Sequence, residues 1–79
     1  MKNKPTVELV KINKEEGLVF VSVNVEGEKK TVKCIMHENG EVDYEELNGE
    51  CFFGDSVGFD EVMDFVNFNE EISKAFPVN

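Results

Sequence analysis

In the stretch LVFVSVNVEGEKKTVKCIMH, residues 18–37, valine returns at every second position, at Val19, Val21, Val23 and Val25. A period of two puts those side chains on one face of a β-strand. Val32, Cys34 and Met36 repeat the alternation beyond Gly27, so the stretch reads as two strands folded back on each other with one apolar stripe. A Gly27-Glu28 loop, glycine first as a type II′ turn prefers, sets Val23 opposite Val32, Val21 opposite Cys34 and Val19 opposite Met36. A Glu26-Gly27 loop slides the partners by two residues and keeps the same residues on the same face. In both registers the stripe needs a cover.

The cover is found near the other end of the chain. From Phe59 to Phe76 the period changes to that of a helix, and Pro77 marks its stop. At about 100° per residue, Val62, Phe65, Val66, Phe68, Ile72, Ala75 and Phe76 fall within roughly half the circumference. Glu61, Asp64, Asn67, Glu71 and Lys74 occupy the other half, with Met63 among them. Asn67 and Asn69 are weak helix formers, so a kink or a split near Phe68 is compatible with the pattern.

Between these two stretches the turn chemistry extends the ribbon. Asn39-Gly40 suits a type I′ turn, which pairs Ile35 with Tyr44 and His37 with Val42. Val42 and Tyr44 then join Leu18, Phe20 and Ile35 on the face away from the valines, and Asp43 and Glu45 lie on the valine side. Residues 43–47 read as a strand, with a single capped helical turn as the alternative. Asn48-Gly49 offers a further turn into Glu50-Cys51-Phe52-Phe53, and residues 54–58 form a loop by composition.

Ahead of the hairpin, residues 1–4 read as a loose tail and residues 6–12, TVELVKI, as a first strand. Its facing is divided, Val7 and Leu9 against Val10 and Ile12, a conflict that a bulge would resolve. The expected architecture is α+β: an antiparallel meander of three to five strands with one C-terminal amphipathic helix packed on one face. Residues 1–79 make one small acidic domain, near the lower size limit for a self-sufficient core.

Charge separates the function classes. The net charge is −9, and its distribution is uneven: seven of the eight lysines lie in residues 1–37, whereas residues 38–79 hold twelve acids and the single Lys74. Such a surface repels nucleic acid and anionic membranes and attracts basic partners. No run approaches the roughly 18 apolar residues of a membrane span, and MKNKPTVEL lacks a signal peptide's apolar core, so the cytosol is the expected compartment.

Chemistry-bearing constellations are weak. Cys34 and the sole histidine, His37, lie three apart on a strand, on opposite faces, which defeats both a metal pair and a nucleophile–base pair. Cys34 and Cys51 read as free thiols, and the loop before the helix lacks the Lys-Ser/Thr end of a phosphate-binding loop. Neither cofactor, metal nor catalytic residue is expected. Two surfaces remain as candidates for partners. An acidic belt of Glu38, Glu41, Asp43, Glu45, Glu46 and Glu50 continues on the helix through Asp60, Glu61, Asp64 and Glu71. An apolar sheet face comprises Leu18, Phe20, Ile35, Val42 and Tyr44. The leading expectation is a non-enzymatic protein-binding module, an acidic inhibitor of a basic or nucleic-acid-binding protein with the composition of phage-type inhibitors and antitoxins. The alternatives are a homodimeric accessory domain using the apolar sheet face, and a small-ligand-binding domain.

Overall fold

The computed structural model describes residues 5–25, 27–47 and 58–77, which contain four strands and two helices: β1 (Thr6–Asn13), β2 (Leu18–Val25), β3 (Glu28–Met36), β4 (Val42–Glu46), α1 (Phe59–Phe68) and α2 (Glu70–Ala75). The strands form one antiparallel sheet in the order β1-β2-β3-β4, the meander topology expected. The tail 1–4, the second Asn-Gly turn, Cys51, Phe52, Phe53 and residues 54–57 of the loop lie outside the described residues.

The valine stripe is the core. Val19, Val21, Val23, Val32 and Cys34 are completely buried and cluster with Val62 and Val66 of α1 and Ile72 of α2. The register of the central hairpin is that of the Glu26-Gly27 loop, with Val25 opposite Glu28, Val21 opposite Val32 and Val19 opposite Cys34. Glycine is needed at the second loop position, where φ is +89°, and the Asn24 side chain accepts the Gly27 N–H at 3.0 Å. Strand β1 carries the bulge its divided pattern called for. The pairing skips Val10, so Val7, Leu9 and Ile12 all pack on the core while Val10 is left 57% exposed.

The outer hairpin corrects the sequence reading. Cys34 pairs with Tyr44, Ile35 with Asp43 and Met36 with Val42, one residue away from the expected register. The cause is a connection of three residues rather than two. The His37 carbonyl accepts the Gly40 N–H at 3.0 Å, His37 N–H donates to the Glu41 carbonyl at 2.9 Å, and Gly40 takes a φ of +92°. A turn closed by a residue of positive φ is the common three-residue hairpin loop, and Asn39-Gly40 fits it as well as the two-residue form. One residue of slip exchanges the faces of the whole strand. Val42 and Tyr44 therefore turn inward, Tyr44 edge-on to Phe59 at a ring separation of 5.2 Å, and Asp43 and Glu45 point to the open face.

The C-terminal segment is split at Asn69, the variant that its two asparagines allowed. Asn69 is extended, at φ −76° and ψ 126°; its N–H donates to the Phe65 carbonyl and its side chain accepts the Ile72 N–H at 3.1 Å, so it closes α1 and caps α2. The break resets the phase of the wheel. Ile72 enters the core, Phe65, Ala75 and Phe76 are half-buried, and Phe68, expected on the apolar face, stands 80% exposed. Met63 is also half-buried. At the start of α1, Gly58 has φ +89°, and an added Cβ would lie 2.9 Å from Val23, so the helix enters directly against the sheet.

Candidate functional site

An antiparallel meander brings alternate turns to one end of the sheet, so the β1–β2 and β3–β4 connections are neighbours. Backbone bonding fixes this: Met36 N–H donates to the Gly17 carbonyl at 2.8 Å. The end of α2 arrives at the same place. Together they surround an open hollow of about 520 Å³, whose apolar wall includes Met36, Ala75, Phe76 and Pro77. Four glutamates line it, Glu15 and Glu16 from the first turn and Glu38 and Glu41 from the third, with Lys14 and His37 as the other ionisable groups.

Both turns hold their shape through asparagine. Asn13 Oδ1 accepts the Glu16 N–H at 3.2 Å, and Asn39 Oδ1 accepts the Glu41 N–H at 2.9 Å. Each bond ties the backbone of a lining glutamate and leaves its side chain at the rim. All four glutamates are exposed.

The belt read from the sequence is divided in three by the fold. Glu38 and Glu41 belong to the hollow. Asp43 and Glu45 lie on the open sheet face and are paired, Asp43 with His37 Nε2 at 2.8 Å and Glu45 with Lys33 at 3.9 Å. Glu46 alternates to the helix side, where it meets Lys30 at 3.3 Å with its side chain only 12% exposed. Asp60 and Glu61 sit in the first turn of α1, Asp64 further along it and Glu71 in the first turn of α2. Asp60, Asp64 and Glu71 are exposed on helices that pack against the valine face, whereas Asp43 and Glu45 belong to the other face of the sheet. Glu50 lies outside the described residues.

Of the apolar set, Leu18, Phe20 and Ile35 share the open face and are half-buried, whereas Val42 and Tyr44 pack on the core. The sequence reading missed Glu15 and Glu16. The signal was present in the topology, because a four-strand meander places its first and third turns together whatever residues they contain.

Among the described residues, the two groups with shifted titration lie outside the lining of this hollow. Burial pushes the Cys34 thiol up to about 12, and burial with a further contribution from Cys34 pushes the Tyr44 hydroxyl up to about 12. Both stay protonated at neutral pH, which leaves Cys34 a small apolar side chain and no nucleophile. Among the described residues no three of His, Cys, Asp and Glu are placed to hold a metal ion, and no helix is long and apolar enough to cross a membrane. Comparison with protein-family models, curated proteins and solved structures finds no match.

Proposed function

We propose that this chain is a non-enzymatic protein-binding module that receives a basic segment of another protein at the sheet-end hollow and thereby blocks that segment. The observation that carries this reading is the composition of the hollow: four glutamates around a wall containing Met36 and Phe76. A lysine or arginine side chain has the complementary form, an apolar stem with a charged head. Its stem would lie on Met36 and Phe76, where the ring face also favours a cation, and its head would reach the glutamates. Net charge −9 supplies long-range attraction to the same class of partner. Basic segments commonly hold phosphate backbones, so a module occupying one competes with nucleic acid for it.

The test is titration of nona-arginine, followed by calorimetry at low and high salt. Wild-type chain is expected to bind at low salt and to weaken as salt screens the charges. Glu38→Gln/Glu41→Gln is expected to lose about 2- to 30-fold in affinity, from about 0.2–1 kcal/mol per exposed ion pair. Asp60→Asn/Glu61→Gln, with the same change in net charge, is expected to lose less. Absence of binding at low salt, or equal losses in the two variants, contradicts the reading.

A further inference from the structure

Among the described residues, the sheet face away from the helices differs from the other surfaces in its charge. Of its described strand residues, Lys11, Lys29 and Lys33 balance Glu8, Asp43 and Glu45, although the whole chain carries −9. On its two central strands lie Leu18, Phe20 and Ile35, half-buried, beside the buried Ser22. A basic partner gains little from a balanced surface. A second copy of this acidic chain meets little net repulsion there.

Two rows of the sheet sharpen the point. Read across the strands from β1 to β4, one row is Lys11, Phe20, Lys33, Glu45 and the next is Asn13, Leu18, Ile35, Asp43. We propose that this face is self-complementary and that two copies pack through it, sheet against sheet, about a two-fold axis running parallel to the strands between β2 and β3. That axis carries β1 over β4 and β2 over β3. Lys11 then faces Glu45 of the second copy, Leu18 faces Ile35, Phe20 faces the stem and ammonium of Lys33, and Asn13 faces Asp43. Neither row sets like charges opposite each other, and each contact occurs twice, as an isologous interface requires. The roughly 30° between stacked sheets is within reach of the long side chains in the outer pairs.

Size sets the strength. Four strands about 4.8 Å apart and about eight residues long at ~3.3 Å each give roughly 500 Å² per copy. About 1,000 Å² in total is the low end for a specific interface, so weak, reversible association is expected.

Sedimentation equilibrium from about 10 µM to 1 mM at ~0.15 M salt tests this. Wild-type chain is expected to associate with concentration, and Phe20→Glu to remain monomeric. Lys11→Glu and Glu45→Lys each place like charges in both copies of the outer contact, so each alone is expected to weaken association at least about fivefold. Mixed in equal amounts they restore opposite charges at both contacts, and the mixture is expected to associate as wild type does. Circular dichroism of the single variants shows whether each retains the fold. A wild-type monomer at 1 mM, association indifferent to Phe20→Glu, or folded single variants that fail to rescue each other would overturn the proposal.

Discussion

A chain carrying Val21→Asp is expected to show no cooperative unfolding transition at 25 °C. Val21 lies on the inner strand β2, is completely buried, and pairs with Leu9 on one side and Val32 on the other. Its loss removes about 1.5–3 kcal/mol of apolar burial. The carboxyl that replaces it has no polar partner in a pocket of valines, which costs roughly a further 2–7 kcal/mol even when it takes up a proton to avoid ionising. At about 0.05–0.15 kcal/mol per residue, a chain of this length holds roughly 4–12 kcal/mol in all. The substitution therefore consumes most or all of the stability. Lys29→Asp, on an exposed position of β3, is expected to change stability by less than about 1 kcal/mol, and urea denaturation followed by circular dichroism separates the two.

Ile72→Ala is expected to cost about 2–5 kcal/mol and to lower Tm by about 10 °C or more. Ile72 is 2% exposed and is the buried residue of α2, which has only six residues. So short a helix has no independent stability, and its docking depends on that one side chain. Phe68→Ala removes a larger side chain and is expected to change stability by no more than about 0.5 kcal/mol, because Phe68 is 80% exposed. An uninterrupted helix over residues 59–76 predicts a large loss for both. Thermal denaturation of the two variants therefore reports on the break at Asn69.

The difference between Ile72 and Phe68 illustrates where sequence reasoning holds and where it stops. Alternation at Val19, Val21 and Val23 survives any choice of hairpin loop that shifts by two, so the core face was legible before its register was. Strand β1 was legible as a conflict, and the bulge at Val10 is the physical resolution of that conflict. Strand β4 was misread because Asn39-Gly40 is equally good chemistry for two connections that differ by one residue. That single residue decides whether Val42 and Tyr44, or Asp43 and Glu45, face the core. On the helix wheel, Phe68 and Ile72 fall together only if the helix is continuous, and the extended backbone of Asn69 interrupts it while its side chain caps the second helix.

The sheet-end hollow lay beyond the belt read from the sequence for a different reason. Glu38 and Glu41 were recognisable as acids in a turn, but Glu15 and Glu16 belong to a turn more than twenty residues earlier. Their convergence is a property of the meander, in which turns one and three share an end. Glu46 shows the converse. Its charge suggested a working carboxylate, whereas alternation along β4 carries it to the helix side and into a pair with Lys30.

The inward placement of Val42 and Tyr44 supports both the core and the open face, since it decides which charges the outer sheet presents. Nuclear Overhauser contacts from the Tyr44 ring measure it most directly. Contacts are expected from that ring to Phe59, at a centroid separation of 5.2 Å, with the Tyr44 backbone paired with Cys34. Contacts from the Tyr44 ring to Leu18, Phe20 and Ile35, with its backbone opposite Ile35, would contradict it.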